Sequence, residues 1–237
     1  MSHRFSHIPK EFNPSIFHPF FIIRSGLLKG ISKQSAAISG KLLDFGCGSK
    51  PYQSLFIVDE YVGVDFENEG HSHHNEQIDI FYDGKKLPFT NNYFDAVLCS
   101  EVVEHVFNLD EVLMELNRVL KNQGKLLLTC PFVWSEHEVP HDFARYTQYA
   151  LKDILEKNGF KIIVFEKSGN FISTSFQLLI LFFYQYANSN WLKFPPFRWL
   201  YKFVFYFILN VKAIVFSFIL PKNQSLYLNN IVLAVKK

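Results

Sequence analysis

The chain has 237 residues, 49% of them hydrophobic, and a formal net charge of +2. That length suits one α/β domain carrying an elaboration, and the apolar content excludes a disordered chain. The net charge says little, but its placement says more. No Asp or Glu follows Glu166, whereas Lys167, Lys193, Arg198, Lys202, Lys212, Lys222, Lys236 and Lys237 do, so the last third is cationic and suggests an anionic surface or substrate.

The N-terminal "MSHRFSHIPKEF" lacks the apolar core of a signal peptide, so no export signal is expected. The stretch "FHPFFIIRSGLLKGI" has apolar residues at mixed helical spacing and predicts a helix leading into the first strand. Strand-like runs follow at "KLLDFG", "YVGVDF", "FDAVLCS", "GKLLLTC" and "FKIIVFE", alternating with helical stretches at 110–120 and 147–158. Such alternation predicts a parallel sheet covered by helices. In "LDEVLMELNRVLKNQG", Leu113, Leu116, Val119 and Leu120 recur at helical spacing, Asp110 and Glu111 suit a first turn, and Gly124 is expected to cap the end. Cys47, Cys99 and Cys130 lie in or beside apolar runs without CxxC spacing, which predicts buried reduced thiols and a cytosolic-side location.

Gly46 and Gly48 follow the first strand, where glycine permits both a tight turn and close approach of a ligand to the backbone. About 19 positions after Gly46, at the end of the next strand, Asp65 could accept both hydroxyls of a ribose. Tyr52 stands where a dinucleotide fingerprint has its third glycine, so a nucleoside with an amino-acid tail fits better than a pyrophosphate. Plainer readings stand beside these: a simple strand-to-helix turn for the glycines, a helix cap for Asp65, and a small buried residue for Cys47.

"LLDFGCGSKPY", "YVGVDF", "DGKKLPFTNNYFDAVLCSEVVEHV" and "ELNRVLKNQGKLLLTCPF" resemble, in order and spacing, the successive motifs of class I S-adenosylmethionine-dependent methyltransferases. The resemblance spans roughly 41–166. It implies an α/β Rossmann-like fold with a mostly parallel sheet, helices on both faces and a reversed final strand at "LYLNNIVLAVKK". It also implies S-adenosylmethionine as cofactor, with Asp44 and Gly46, Cys47 and Gly48 around its methionine part, Asp65 and Phe66 at the ribose, Asp83 with Leu87 at the adenine, and Ser100 with Glu101 on the sulfonium side. For Asp83 the alternative is a plain "YDGKK" turn.

Methyl transfer to a hydroxyl benefits from a base. "PFVWSEHEVPHDFARYT" crowds His137, Glu138, His141, Asp142 and Arg145 where such enzymes bind acceptors, making His137 and His141 the base candidates, with His105 also facing the pocket. The alternative is a loop whose histidines and acids cap the next helix and pair with Arg145. In "SEVVEHV", a helix would bring Glu101, Glu104 and His105 together at i, i+3 and i+4, and His141 or His137 could complete a divalent metal shell, similar to the site of metal-assisted small-RNA 2′-O-methyltransferases. The alternative is an ordinary acidic helix start. "HEVPHDFARYT" with "GCGSKPY" further resembles bacterial methyltransferases of surface-polysaccharide and glycolipid biosynthesis.

Residues 171–222 form a Phe-rich, basic insertion with runs "FQLLILFFYQYA" and "FVFYFILNVKAIVFSFIL". Asn210 and Lys212 at the centre of the second argue against a spanning helix. On a helical wheel Lys202, Tyr206, Asn210 and Ser217 share an arc of about 80°, with Trp191, Trp199 and Tyr201 near the start, a decoration that suits a helix in the membrane interface. Packing on the sheet edge or a dimer contact is the alternative. The sequence therefore reads as one domain: a lead-in at 1–40, a cofactor core at 41–168, the insertion at 171–222 and a last strand at 226–237. The expected activity is S-adenosylmethionine-dependent O-methylation of a sugar hydroxyl on a surface polysaccharide or lipid-linked glycan, in the cytoplasm or on the inner face of its membrane. A quinone or other prenyl-lipid acceptor and a non-catalytic cofactor-binding module are the alternatives. The acidic, histidine-rich loop disfavours nucleic acid.

Overall fold

The apolar runs pair into one seven-stranded sheet in a computed structural model, which describes residues 5–66, 77–187 and 194–237. In chain order, α1 (Phe21–Ser35) leads to β1 (Lys41–Phe45), β2 (Glu60–Phe66), β3 (Ile80–Tyr82) and β4 (Phe94–Ser100). Then come α2 (Leu109–Val119), β5 (Leu120–Pro131), α3 (Gln148–Lys157), β6 (Phe160–Ser168), α4 (Phe171–Gln185), α5 (Pro195–Lys202), α6 (Leu209–Ile219) and β7 (Asn229–Lys236). The spatial order is β3-β2-β1-β4-β5-β7-β6, and β1 pairs parallel with both β2 and β4. The last strand thus returns to an interior place between β5 and β6. β3 carries no sequence signal, being three residues long with only Tyr82 buried.

The chain packs as two units, Gly30–Glu166 with Asn230–Lys237, and Met1–Lys29 with Lys167–Asn229. In the first, β1 and β4 are buried on both faces and read as nearly unbroken apolar runs, with Leu42, Leu43, Val97 and Leu98 essentially inaccessible. Against them α2 lays Leu109, Val112, Leu113, Leu116 and Val119, the stripe its periodicity predicts, with Asp110 and Glu111 in the first turn. Gly124 does not cap this helix. Leu120 already adopts extended geometry and pairs with Phe94, because sheet pairing in the core wins over one more helical turn, and Gly124 lies inside β5 after Gln123 at φ 62°. Thr147 caps α3 by accepting from the Ala150 N–H at 3.2 Å. All three cysteines are buried thiols.

In the second unit, Asn170 and Ser173 form a capping box at the start of α4. Gln177, fully buried in α4, accepts from the Ile23 N–H at 3.2 Å and donates to the Pro19 carbonyl at 2.8 Å. A π-helical stretch, Phe203–Ile208, joins α5 to α6. The polar arc expected on the outside of this run is partly turned in: Tyr206 is buried, and buried Asn210 donates to the carbonyls of Ile16 at 2.7 Å and His18 at 3.1 Å. An amide sealed from water needs partners, and the N-terminal segment supplies them for the Nδ2 donors, while Oδ1 is buried with no hydrogen-bond partner among the described residues. Trp191 and Lys193 lie outside the described residues. The run Pro195–Ile219 is 25 residues long and, by length and composition, apolar enough to cross a bilayer.

Candidate cofactor and acceptor site

Because β2 and β3 lie on one side of β1 and β4 and β5 on the other, the carboxyl ends of β1 and β4 flank the point where the chain reverses its direction of travel across the sheet, the usual ligand crevice of open α/β sheets. The glycine turn lies there. Gly46 and Gly48 hold φ of +72° and +45°, a region that disfavours side chains, and the N–H groups of Gly46 and Cys47 both donate to the Val64 carbonyl. A Cβ on Gly46 would also overlap the Val102 side chain. Gly46→Ala is therefore expected to lower the melting temperature by several degrees and to abolish detectable S-adenosylmethionine binding, checked by differential scanning fluorimetry and titration calorimetry.

Asp65 grips the same turn. Its Oδ2 accepts from the Gly48 N–H at 2.7 Å and its Oδ1 from the Phe66 N–H at 2.7 Å. Strand alternation places Tyr61, Gly63 and Asp65 on one face of β2, and the register sets Asp44 beside Gly63. Tyr61 donates to Asp44 Oδ2 at 2.5 Å. Burial pushes the Asp44 carboxyl up to about 7, against the Tyr61 hydrogen bond and with the Asp65 charge adding to the rise. Lys50 crosses over Gly63 and pairs with Asp79 Oδ2 at 2.6 Å, and the same oxygen accepts from the Gly63 N–H at 2.6 Å. Against the upward push of its burial, these two donors hold Asp79 below the usual carboxylate range. Tyr61, Lys50 and Asp79 were not marked by the sequence reading; the signal available was the alternation in "EYVGVDF", which puts Tyr61 on the Asp65 face.

The remaining cofactor candidates divide. Phe66 ends β2 half exposed, and its ring packs against Gly84, so it adjoins the turn after β3. In that turn Asp83 Oδ1 accepts from the N–H groups of Lys85 and Lys86, which holds its carboxyl below the ordinary value and gives the residue a turn-forming role. Leu87 is a core side chain whose N–H is taken by Glu115 at 2.7 Å. At the end of β4, Thr129 donates to Glu101 Oε1 at 2.8 Å, which leaves Ser100 as the donor in its 2.9 Å bond to Thr129. Glu101 has φ of 57° and only Val103–His105 forms a single 3-10 turn, so Glu101, Glu104 and His105 do not share an α-helical face as expected.

The acceptor loop is tied to this point. The N–H groups of Phe143 and Ala144 donate to the Glu104 carbonyl at 2.8 and 3.2 Å, and His105 Nδ1 bonds the His141 carbonyl at 2.7 Å. Arg145 grips Asp142 through two bonds of 2.6 and 2.7 Å and holds its carboxyl down at about 2. Asp142 Oδ2 in turn lies 3.4 Å from His137 Nδ1 and accepts the His137 N–H at 3.0 Å. Burial, the neighbouring His105 and Arg145 lower the His137 pKa, so the imidazole is neutral at pH 7.

Glu104 is the anomaly. Its carboxylate is fully buried with no hydrogen-bond partner for either oxygen among the described residues, and burial, reinforced by the Glu101 charge, pushes its pKa well up. Ligand atoms of Glu104, His105 and His137 lie within 4.8 Å of one another, one oxygen and two imidazole nitrogens that suit a divalent transition ion. Of the metal set read from the sequence, Glu104 and His105 come together with His137, one of the two histidines offered to complete it, whereas Glu101 belongs to the Thr129 network.

Residues 43–128 match the methyltransferase domain model Methyltransf_11. An uncharacterised protein of Methanocaldococcus jannaschii is 40% identical over 95 residues, covering 39% of this chain and 41% of that one. The mitochondrial ubiquinone biosynthesis O-methyltransferase of Bos taurus is 32% identical over 127 residues, covering 45% of this chain and 34% of its own. These matches therefore span less than half of the relatives' own length. In three dimensions the cyclase SpnF superposes with a TM-score of 0.55 at 19% identity, covering 90% of this chain and 80% of that one, a likeness of fold alone. The sheet and the glycine turn define a Rossmann-like nucleoside-binding fold. Over residues 43–128 the chain matches, more narrowly, a methyltransferase domain, and S-adenosylmethionine is the cofactor that this match indicates. The donor set fits that molecule: Asp44, a buried carboxyl with no cation in hydrogen-bond contact among the described residues, suits an ammonium group, and a bare turn permits close approach of the amino-acid tail.

Proposed function

We propose that the protein methylates a hydroxyl oxygen on a sugar of a lipid-linked or surface glycan, using S-adenosylmethionine, on the cytoplasmic side of a membrane. The observation that carries it is His137, a half-buried neutral imidazole with Nδ1 facing the Ser135 carbonyl at 3.3 Å and the Asp142 carboxylate at 3.4 Å. Nδ1 also has the Arg145 Nη2 donor at 3.4 Å, but that guanidinium is already held by Asp142 and the Ser135 carbonyl, so with the Nδ1 proton facing the two acceptors Nε2 is left as the base. The bound cofactor supplies an electrophilic methyl group. Asp65 and the glycine turn orient it, Asp44 receives its cationic end, and His137 takes the acceptor proton at Nε2.

His137→Ala is expected to lower kcat at least tenfold with less than a threefold change in S-adenosylmethionine Kd. His141→Ala, whose contact with His105 is through the backbone carbonyl, is expected to change kcat less. Radiolabelled methyl transfer together with calorimetry separates the two, and equal loss of turnover and cofactor affinity in His137→Ala would reassign it to structure. A quinone acceptor is the second reading, favoured by the ubiquinone biosynthesis O-methyltransferase match. A screen of lipid-linked sugars against prenylated quinones distinguishes them; cofactor binding with no methyl transfer to either class would favour a binding module.

A further inference from the structure

Charge and apolar exposure segregate with the two units. The unit Met1–Lys29 with Lys167–Asn229 holds 10 Lys and Arg against one acid, Glu11, whereas Gly30–Glu166 with Asn230–Lys237 holds 14 against 21. A chain of net charge +2 therefore carries about +9 on one unit and −7 on the other. The cationic unit also displays large apolar side chains. Phe218 is 90% exposed, Trp199 and Ile219 65%, and Phe197, Leu200 and Ile214 about half.

This exposure follows from how the helices are satisfied. Asn210 spends its amide on the carbonyls of Ile16 and His18, Ser217 donates to Asn170 at 3.2 Å, and the Tyr201 hydroxyl donates to the Phe183 carbonyl. These uncharged polar groups of α5 and α6 are thereby stitched inward, and large apolar side chains are left outside together with the cations. A water-facing helix has the opposite arrangement. Exposed apolar area of this extent marks a contact surface.

We propose that this unit docks on an anionic lipid bilayer, its apolar face at the acyl boundary and its cations among the headgroups. The occupant follows from charge. Two copies packed face to face would bring +9 against +9, and a soluble polyanion would leave Phe218, Ile219 and Trp199 in water. An anionic leaflet answers both, since exposed Arg198, Lys202, Lys212 and Lys222 pair with headgroups while their alkyl stems stay in the apolar layer. The chain leaves the sheet at β6 and re-enters it at β7, so α4 and the run Pro195–Ile219 form an out-and-back pair, which suits insertion from one side. None of this depends on the methyltransferase reading.

The test is flotation of the full chain with vesicles of phosphatidylcholine alone and of phosphatidylcholine with phosphatidylglycerol. Wild type is expected to float with the anionic vesicles at least tenfold more tightly, and less so in high salt. At about fivefold per charge near such a surface, the Lys202→Glu/Lys212→Glu variant is expected to lose at least tenfold, as is Phe218→Gln/Ile219→Gln through lost insertion. All four positions are surface-accessible or partly so, and unchanged S-adenosylmethionine affinity and circular dichroism check that each variant folds. Absence of flotation with anionic vesicles, or flotation indifferent to both variants, overturns the proposal. A dimer by light scattering that Phe218→Gln/Ile219→Gln dissociates, without lipid binding by wild type, would assign the face to a second copy instead.

Discussion

Asp65→Ala is expected to raise the Kd for S-adenosylmethionine about a hundredfold or more while the sheet stays folded. Two losses combine. A carboxylate that accepts two ribose hydroxyls contributes about 1.5–3 kcal/mol per charged hydrogen bond, and the same carboxylate fixes the turn through Gly48 and Phe66. The second loss acts on geometry: without Oδ2 the Gly48 N–H has no anchor, and the glycine turn loses its fixed distance from β2. The core beneath is untouched, since Val64 and Leu43 are buried independently of the site, so the melting temperature should fall by only a few degrees. Asp65→Asn separates the contributions. It keeps one acceptor for the turn but lacks the charge and the second acceptor, so its loss of affinity should be intermediate. Calorimetry and fluorimetry on the two variants decide the matter; full affinity in folded Asp65→Ala would place the ribose elsewhere.

The central strands, α2, α3 and the glycine turn were legible because each rests on a local rule: unbroken apolar runs for strands buried on both faces, a 3.6-residue stripe for α2, and glycine where φ is positive. What was not legible depends on pairing across the chain. β3 is defined by its neighbour β2, since "IFY" has no alternation of its own. Gly124 looked like a helix cap because local pattern cannot know that Leu120 will pair with Phe94. The spacing of Glu101, Glu104 and His105 is correct for a helix, but Glu101, the residue after β4, has a left-handed conformation that breaks the helical face. Asn210 looked like an obstacle to an apolar environment, and the pairing of its Nδ2 group with carbonyls almost two hundred residues earlier could not be read from the insertion itself. The sequence reading did place His137, Asp142 and Arg145 together in the acceptor loop, with acid–Arg145 pairing as one alternative; that Asp142 holds both Arg145 and the His137 N–H follows only from the folded loop.

Asp44 makes both stability and cofactor affinity depend on pH, and the signs can be worked out. Its unfolded carboxyl titrates near 4 and its folded one near 7, so between those values the folded protein binds more protons than the unfolded one. Stability from this group is complete below about pH 4 and is lost as pH rises to about 7, by about 1.4 kcal/mol per unit or roughly 4 kcal/mol in total. Asp44→Asn carries no charge to bury and still offers an oxygen to Tyr61. Relative to wild type it should therefore gain stability steadily from pH 4 to 7 and hold that gain above, a difference measurement that cancels the titrations of His18 and His137. Affinity should run the other way. An ammonium placed against Asp44 favours the ionised form, so wild-type binding should tighten as pH rises toward 7 and release up to one proton. Calorimetry in buffers of different ionisation heat would show that proton at pH 6 and lose it in Asp44→Asn. Buffer-independent heats in wild type at that pH would mean that Asp44 keeps one protonation state through binding, and would overturn its assignment as a carboxyl that ionises against the ammonium.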